Sequence, residues 1–352
     1  DNLHQYLLPN VFMPPLYAYY LYILSFFNLE NQNYIYLVLS SQIILASISV
    51  IVFYKINKIF FSQKISFYSS LLFSIFPIHV YASSQISSIS LQVFLTILFF
   101  YFFLQLTEKK NYTSIILFSS IAGMLILLRG EFIAILALSI IYLLIFFKFS
   151  IKNILLIVLI SLITISPYLI RNILVFEKAT ITKSFGYNLW KGNNLEANVE
   201  GTKIVGQVLQ KRIDAIPIDK FYGIHFDNVH LQKAIENILE KPKRYIILFG
   251  KKIISFLFID IKSTLPNYYN PFHYIPILII GITSLIGILV SNKKSYKLNY
   301  LILIFFTNIF VFSLFFILPR YKLTIIPLQI IFTNIFIQYL LEKFYKKKLH
   351  TK

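Results

Sequence analysis

The chain has 352 residues, of which 57% are hydrophobic and 13% are charged. Soluble domains carry about 25% charged residues, so this composition excludes an ordinary soluble protein. The formal net charge of +19 does not indicate nucleic-acid binding, because the lysines form short clusters between apolar runs, as in the loops of membrane proteins. The absence of cysteine from the sequence excludes disulfides, thiolate metal sites and cysteine nucleophiles.

Residues 1–33 are predicted to form a first outer loop that is incomplete at its start. The sequence begins at Asp1 without an initiator methionine, a signal peptide or an apolar first segment, so we expect an N-terminally truncated chain. Segment 11–27 is apolar and rich in tyrosine. We predict an interfacial helix there rather than a tenth span, because an additional span would place every lysine cluster on the outer side.

Long apolar runs dominate the rest of the chain and predict a polytopic helical bundle. A run of about 20 apolar residues can cross a bilayer core as a helix, since a helix satisfies its own backbone hydrogen bonds. We predict spans near residues 34–54, 65–83, 88–107, 113–128, 131–148, 152–170, 272–291, 299–319 and 322–341. Residues 34–171 would hold the first part of this bundle, and residues 272–352 would hold its last three spans and a basic cytoplasmic tail.

The positions of the charges predict the orientation of the bundle. With residue 1 outside, the inner loops and the C-terminal tail contain Lys55, Lys58, Lys64, Lys109, Lys110, Lys148, Lys152, Lys293, Lys294, Lys297, Lys343, Lys346, Lys347, Lys348 and Lys352. Of the acidic residues, only Glu108 and Glu342 then fall on the inner side. Because cytoplasmic loops are enriched in lysine and arginine, we expect a multi-pass protein of the cell (inner) membrane with a cytoplasmic C-terminus.

A hydrophilic segment at residues 172–271 interrupts the apolar runs and is predicted to form a small mixed outer (periplasmic) domain. A helix is expected near Val229–Glu240, and Lys241–Ile259 is expected to lie at the membrane interface, since lysines are mixed there into apolar sequence. The predicted fold class is therefore an all-α membrane protein, a polytopic helical bundle of about nine spans with an interfacial helix and this outer domain.

Charged residues at the outer ends of the spans are the candidates for a substrate site. Arg129 and Glu131 flank Gly130 between two apolar runs, and they would either line a polar cavity or form a turn with an ion pair. Arg171-Asn172 and Arg320-Tyr321-Lys322 also place cations on the outer side. These cations would bind an anion, with phosphate the natural candidate, or extend to the interface around the headgroups.

The segment from Gly186 to Asn194 combines glycines, amides and the only tryptophan of the chain. We interpret it as a tight loop in which amides hydrogen-bond hydroxyls and an aromatic ring stacks on a sugar face; ordinary turn residues are the alternative. The residues concerned are Asn188, Trp190, Asn193 and Asn194. Three scattered histidines, His79, His225 and His230, are interpreted as structural, and no zinc motif or phosphate-binding glycine loop occurs in the sequence.

Six short motifs follow one another in a characteristic order along nearly the whole chain. They are Met13-Pro14-Pro15-Leu16-Tyr17, Pro77-Ile78-His79, Leu128-Arg129-Gly130-Glu131, Pro167-Tyr168-Leu169-Ile170-Arg171-Asn172, Asn188-Leu189-Trp190-Lys191-Gly192-Asn193-Asn194 with Gly201, and Pro319-Arg320-Tyr321. Their order resembles the C-type superfamily of membrane glycosyltransferases. The resemblance is to bacterial relatives of protein O-mannosyltransferases and aminoarabinose transferases.

The resemblance implies an inverting transfer of a sugar from a polyprenyl-phosphate carrier to a lipid, glycan or protein acceptor on the outer face. In this family a carboxylate of the first outer loop acts as general base, and cations stabilise the departing lipid phosphate. Arg171, Arg320 and Lys322 fit the cation role. The family's catalytic Asp lies well before the Pro-Pro-Leu-Tyr element, so we expect it upstream of Asp1 and expect this sequence alone to be inactive. No cofactor is assigned, and a divalent cation stays open.

Two alternatives to a transferase remain at the level of the sequence. A transporter or flippase of lipid-linked sugars would need similar cations, but transporters commonly contain internal repeats with broken helices, and the sequence shows no repeat. A structural membrane subunit would leave the outer cations without a ligand, so replacing Arg171 and Arg320 by alanine would change nothing but stability. Membrane lipids are expected partners in every case.

Overall fold

A computed structural model of the protein describes residues 8–291 and 294–350. Its regular elements are α1 (Leu16–Ser25), α2 (Asn31–Phe60), α3 (Gln63–Ser74), α4 (Pro77–Ser83), α5 (Ile89–Lys109), α6 (Tyr112–Leu128), α7 (Phe132–Phe147), α8 (Ile151–Phe176), α9 (Phe185–Asn193), α10 (Gln207–Asp214), α11 (Tyr222–Glu240), α12 (Pro242–Leu257), α13 (Pro271–Val290), α14 (Tyr296–Ser313), a 3-10 helix (Pro319–Thr324) and α15 (Ile326–His350). These described residues contain no strand, which confirms the all-helical part of the predicted fold class. Lys293 and Lys352, both predicted on the inner side, lie outside the described residues.

Several of these helices are suited to a membrane. By length and composition, five helices of the described part could cross a bilayer: α2, α5, α8, α13 and α14. A sixth is obtained if α3 and α4 together form one span. The remaining predicted spans coincide with α6 and α7, which have 17 and 16 residues, and with α15. The helices fit a multi-pass membrane protein, and the count of nine spans stays a prediction.

The span predicted at residues 65–83 is not one continuous helix. Its two halves, α3 and α4, are bent by 55° at a short break before Pro77. Pro77 occupies the first turn of α4, where its missing N–H costs nothing, and it disfavours helical geometry at Phe76. Phe76 is accordingly extended, with ψ of 124°. The proline therefore breaks the helix and turns α4 towards the 3-10 helix, with which it is in contact.

Loops predicted to be cytoplasmic come together at one end of the bundle. The Lys110 Nζ donates to the carbonyl oxygen of Phe147 over 3.0 Å, and Lys297 forms an ion pair with Glu108. Helix α6 starts beside Lys110 and ends at Leu128, so Arg129 lies at its other end. Arg129 and Arg320 both lie against the ring of Tyr321, which places these two of the predicted outer cations together and away from the lysine-rich loops.

Small residues allow close contacts between the helices of the bundle. A Cβ on Gly287 of α13 would lie 1.8 Å from the carbonyl oxygen of Phe332 on α15. A Cβ on Gly123 of α6 would lie 2.6 Å from the Cβ of Thr164 on α8. Lipid tails are as apolar as the helices themselves, so close backbone packing at small residues is a main source of association in membranes.

The segment 172–271 is helical rather than mixed. It contains α9, α10, α11 and α12, and the described residues there form isolated backbone contacts instead of a sheet. Helix α11 extends over Tyr222–Glu240 and so includes the predicted helix, while α12 occupies most of the segment predicted to be interfacial. Amphipathic helices can bury one face each on the bundle and on one another, so no sheet is needed to form a core. The assignment of 172–271 as an outer domain stays a prediction.

The N-terminal part begins with the predicted interfacial helix. Helix α1 has no buried residue and lies against α2, where the hydroxyl of Tyr34 donates to the carbonyl oxygen of Leu21 over 2.8 Å. The hydroxyl of Tyr20 hydrogen-bonds Ser41. The helix is therefore confirmed, and its position in the membrane interface remains a prediction.

Candidate functional site

Arg129 is held in place from two sides at the end of α6. Its Nε donates to the Oε1 of Gln92 on α5 over 3.1 Å, and Gln92 is 1% exposed. Its guanidinium carbon lies 5.5 Å from the ring centroid of Tyr321. The alternative of an ion pair with Glu131 is not realised, since Glu131 forms no ion pair with any described residue and is half-buried. Arg129 is thus fixed by a neutral amide and a ring.

Arg320 and Tyr321 lie on the 3-10 helix that joins the last two long helices. Arg320 is exposed, and its guanidinium carbon also lies 5.5 Å from the Tyr321 ring centroid. The Tyr321 ring is in turn packed against Phe312 and Phe316, at centroid distances of 5.5 and 5.9 Å. One aromatic ring, supported by two others, therefore carries two guanidinium groups, an arrangement that its π-face stabilises.

Lys191 joins this group from α9. Its Nζ lies 3.9 Å from the centroid of the Phe316 ring. Burial is the main cause that lowers the pKa of Lys191, and the charges of Lys203 and Arg320 lower it further. Lys191 is not among the residues that sequence reasoning selected. The available signal was its place between Trp190 and Gly192 in the fifth motif.

Arg129, Lys191 and Arg320 thus lie against the neighbouring rings of Tyr321 and Phe316. Lys203 follows Thr202, whose backbone N–H donates to the carbonyl oxygen of Lys191 over 3.0 Å. We refer to Arg129, Lys191, Lys203 and Arg320 as the cation cluster. Ion pairs occur elsewhere, for example between Arg212 and Glu236. No member of the cation cluster has an acidic partner among the described residues. Like charges held together raise the free energy of the site, and a bound phosphate would lower it through charge-assisted hydrogen bonds.

Lys322 does not belong to the cation cluster. It is 1% exposed, and its Nζ donates to the carbonyl oxygens of Ser255 and Phe258 at the end of α12. The prediction that Lys322 binds substrate phosphate is therefore not supported by its position. A buried ammonium needs acceptors, and these carbonyls provide them, so the side chain links the 3-10 helix to α12.

Arg171 and Asn172 lie beside the N-terminal segment instead, where the Nη1 of Arg171 donates to the carbonyl oxygen of Asn10 over 3.5 Å. Arg171 donates to the Oδ1 of Asn172 over 2.7 Å and lies against the rings of Tyr168 and Phe176, at 5.8 and 5.2 Å. Asn172 is fully buried, and its Nδ2 donates to the carbonyl oxygen of Thr180 over 2.6 Å. Asn172 thus stabilises the chain after α8, while Arg171 stays half-exposed and separate from the ring of Tyr321.

The segment predicted as a sugar-binding loop is mostly the helix α9. Trp190 is 2% exposed and packs on His230 and Tyr187, at centroid distances of 4.8 and 6.0 Å, so it presents no free face to a sugar. The Nδ2 of Asn193 donates to the carbonyl oxygens of Leu189 and Leu314, each over 2.8 Å.

The two remaining amides of this segment differ from each other. Asn194 is 4% exposed, and its Nδ2 donates to the carbonyl oxygen of Thr202 over 3.2 Å. Asn188 is half-buried, and its side chain forms no hydrogen bond within the described residues. Among the four residues predicted in this segment, Asn188 is therefore the one whose side chain is available to a ligand.

Close packing explains the glycine that follows Lys191. A Cβ on Gly192 would lie 2.0 Å from the carbonyl oxygen of Phe315, so α9 can touch the chain before the 3-10 helix only with glycine at this position. This contact brings Lys191 next to Phe316. Lys252 of α12 supports it, because its fully buried Nζ donates to the carbonyl oxygen of Gly192 over 2.9 Å and to the Oδ1 of Asn193 over 3.0 Å.

The family match falls on the N-terminal half of the chain. The model of a family described as dolichyl-phosphate-mannose-protein mannosyltransferase matches residues 12–170. No curated protein and no solved structure matches the chain significantly. The chain is similar to membrane mannosyltransferases. This similarity supports a glycosyltransferase family of the C type.

The mannosyltransferase match includes one member of the cation cluster and ends before the others. Arg129 and its partner Gln92 lie inside residues 12–170, whereas Lys191, Lys203 and Arg320 lie outside. Their association with Arg129 is therefore an independent finding of the structure.

Two of the three histidines have structural positions. His79 is 5% exposed and its ring stacks on Phe73 at a centroid distance of 4.3 Å, and the Nδ1 of buried His230 lies 2.7 Å from the carbonyl oxygen of Phe226. His225 is exposed. Within the described residues, no group of three or more His, Asp or Glu side chains could hold a metal ion.

Proposed function

We propose that the protein is a glycosyltransferase that moves a sugar from a polyprenyl-phosphate carrier to an acceptor at the outer face of the membrane, with inversion. The observation that carries this proposal is the cation cluster around Tyr321, which has no acidic partner among the described residues. The similarity of residues 12–170 to membrane mannosyltransferases gives the cluster its chemical context.

The cation cluster would bind the phosphate of the carrier. Arg320 and Lys203 are exposed and would meet the lipid phosphate first, while Arg129 is held ready by Gln92 and the Tyr321 ring. As the bond between sugar and phosphate breaks, negative charge develops on the phosphate oxygens. Preorganised cations stabilise that charge and lower the barrier, because they need no rearrangement during the reaction.

Glu131 and Asn188 are the proposed contacts of the sugar. Both are half-buried, and neither side chain has a hydrogen-bond partner among the described residues. A carboxylate accepts hydrogen bonds from hydroxyls, and an amide both accepts and donates them. No described residue is assigned as the general base, which the family resemblance gives as a carboxylate of the first outer loop. Arg171 remains a predicted anion contact beside the first outer loop.

The orientation belongs to the same proposal. We place the cation cluster outside and the C-terminus in the cytoplasm, because the lysine-rich loops at Lys110, Lys148 and Lys297 share the opposite end of the bundle. The protein would then lie in the cell (inner) membrane. A polyprenyl-phosphate sugar could reach the cluster from the outer leaflet, with a lipid, glycan or protein as acceptor.

Binding of the carrier can be tested without the general base. Native mass spectrometry of the purified protein would compare undecaprenyl phosphate with neutral undecaprenol, in the unmodified protein and in Arg320→Ala. We expect selective binding of the phosphate, weakened about tenfold or more by Arg320→Ala, because hydrogen bonds to charged groups are lost. Arg212→Ala, which removes an arginine that is paired with Glu236 and is not part of the cation cluster, is the matched control. Equal binding of undecaprenol, or an unchanged Arg320→Ala variant, would refute the phosphate site.

One feature favours a flippase as the second candidate. The break between α3 and α4 resembles the broken helices that line transport sites, and α4 contacts the 3-10 helix of the cation cluster. Proteoliposomes containing a fluorescent polyprenyl-phosphate sugar distinguish the candidates. Movement of the label between leaflets without transfer to an acceptor indicates a flippase, whereas transfer without such movement indicates a transferase.

A further inference from the structure

A groove runs along α12 at some distance in sequence from the cation cluster. It encloses a cavity of about 740 Å³ between α12, the loop around Asn198 and the chain that leads to α13. No member of the cation cluster lines it. The groove is therefore separate from the proposed carrier site and is not explained by it.

The walls of the groove are apolar. Ile247, Ile254 and Ile261 line it and are 51%, 54% and 78% exposed. The opposite face of α12 is buried on the bundle, where Phe256 stacks on Phe312 of α14 at a centroid distance of 5.3 Å. An isoleucine surface of this kind is unfavourable in water, and its burial against hydrocarbon would contribute a favourable hydrophobic free energy.

The rim of the groove is strongly basic. Lys243, Arg244, Lys251 and Lys262 line it, against a single acidic residue, Asp260. Asp260 is 8% exposed, and its Oδ1 already accepts from the backbone N–H of Lys262 over 2.9 Å. None of the three lysine ammonium groups has a hydrogen bond or an ion pair among the described residues. The groove thus carries four cations against one carboxylate, that of Asp260, which interacts with the charge of Lys251.

The groove lies where lipid headgroups would be. Helix α13 is a candidate span that begins at Pro271, shortly after Lys262, and α14 is a candidate span whose last turns pack on α12. The start of one span and the end of the next lie on the same side of a membrane. An amphipathic helix with lysines beside exposed isoleucines at this level is typical of an interfacial helix.

We propose that the α12 groove binds an acidic phospholipid, with the phosphate at the lysines of the rim and an acyl chain on the isoleucines. A zwitterionic lipid would place its own cation beside these lysines. A soluble anion would leave the isoleucines exposed. An acidic phospholipid can pair its phosphate with the lysines and cover the isoleucines with an acyl chain, so charge and apolar area together favour it.

The binding can be measured with a tryptophan in the groove. Ile254→Trp places the reporter on the groove wall, and Ile246→Trp places it on the same helix, at a residue that does not line the groove. Trp190 is 2% exposed and gives a constant background. Nanodiscs of phosphatidylcholine would contain a minor fraction of phosphatidylglycerol with brominated acyl chains, which quench tryptophan on contact. With brominated phosphatidylglycerol, we expect several-fold stronger quenching of the tryptophan in Ile254→Trp than in Ile246→Trp. With brominated phosphatidylcholine instead, we expect equal quenching of the two.

Charge variants then test the role of the rim. Lys243→Gln with Lys251→Gln should lower the excess quenching roughly tenfold, since each lysine near a headgroup adds attraction. Lys243→Arg with Lys251→Arg should preserve it. Lys178→Gln with Lys211→Gln, a pair of exposed lysines outside the groove, is the control and should also preserve it.

The proposal would be overturned if both brominated lipids quenched Ile254→Trp equally. It would also be overturned if the excess quenching by phosphatidylglycerol persisted after Lys243→Gln with Lys251→Gln. If the tryptophan variants fail to fold, native mass spectrometry tests the same binding without them. We then expect phosphatidylglycerol adducts that are retained by the unmodified protein and the control pair and lost by the glutamine pair. Adducts of equal strength in all of them would exclude the groove as the binding site.

Discussion

At the scale of single residues, the partner of each cation decides its role. Arg320 and Lys322 are two residues apart in the sequence and have the same charge. The 3-10 helix directs Arg320 to the surface beside Tyr321 and directs Lys322 inwards to two carbonyl oxygens. Sequence reasoning could identify the pair as unusual, because cations are disfavoured at the outer ends of spans. It could not separate them, since that depends on the direction of a short helix.

Gln92 is a positioning residue in this arrangement. Gln92→Leu would remove the acceptor of the Arg129 Nε, so we expect undecaprenyl phosphate to bind several-fold more weakly, by loss of a hydrogen bond that orients a charged group. Thr96→Val on the same helix is the control, because the buried Oγ1 of Thr96 has no partner. Isothermal titration of both variants in detergent would measure the dissociation constants. Equal weakening in both would mean that Gln92 acts only through the stability of α5.

The pKa of Lys191 predicts how binding depends on pH. Burial lowers this pKa below the ordinary lysine value, and a lysine binds phosphate only while charged, so its contribution is present at low pH and lost as pH rises through the lowered pKa. The lipid phosphate itself is fully ionised above about pH 8. We expect affinity to fall at a pH below the ordinary lysine pKa in the unmodified protein and to change little over the same range in Lys191→Arg, whose guanidinium stays charged.

Lys203→Arg serves as the comparison for this pH dependence. Lys203 is exposed, so the same exchange there should leave the fall in affinity in place. A fall of equal size in Lys191→Arg would show that another group titrates.

At the scale of elements, α9 shows where a sequence pattern misleads. Glycine and asparagine are ordinary turn residues, so the segment from Gly186 to Asn194 predicts a loop. Its glycines instead allow two tertiary contacts, of Gly186 with the Asp227 carbonyl oxygen and of Gly192 with that of Phe315. The close approach at Gly186 also brings α11 over Trp190, which packs on His230. Such contacts depend on the segment that packs against α9, and no local sequence pattern contains that information. The apolar runs, by contrast, predicted the long helices because their period and length are local properties.

Gly192→Ala tests the role of this contact. The added Cβ would meet a carbonyl oxygen at 2.0 Å, so α9 must move away and Lys191 must leave Phe316. We expect destabilisation by about 1–3 kcal/mol, as for other overpacked sites, together with weaker phosphate binding. Gly250→Ala in α12 is the matched control, because nothing lies within 4 Å of its added Cβ. Thermal unfolding in detergent, followed by far-ultraviolet circular dichroism, measures the stability of the two variants. Equal melting temperatures would refute the packing argument.

At the scale of the whole molecule, the two ends of the bundle differ in how their cations are paired. One end joins Glu108 with Lys297 and Lys110 with the end of α7, and the other gathers cations around an aromatic ring. The sequence predicted this separation from the distribution of lysines. It did not predict which outer cations meet, because Arg129 and Arg320 are distant along the chain and are joined only by packing of α4, α5 and the 3-10 helix.

The lack of native cysteine allows a direct test of orientation. Glu177→Cys, after α8, and Lys109→Cys, before α6, each introduce a single exposed thiol at opposite ends of the bundle. In intact cells, a membrane-impermeant maleimide should label the cysteine at position 177 and leave that at 109 unlabelled, since the proposed topology places position 109 in the cytoplasm. After permeabilisation both should react. Labelling of position 109 in intact cells would reverse the proposed topology.

The arrangement of the cation cluster also has a consequence for biosynthesis. Its members come from the end of α6, from α9, from the following loop and from the link between the last two long helices. Membrane proteins are made from the N-terminus, and domains generally form in that order. Arg320 leaves the ribosome long after Arg129, so the cation cluster is complete only when the chain through the 3-10 helix has been made. A nascent chain would therefore hold no lipid carrier until synthesis has passed Arg320.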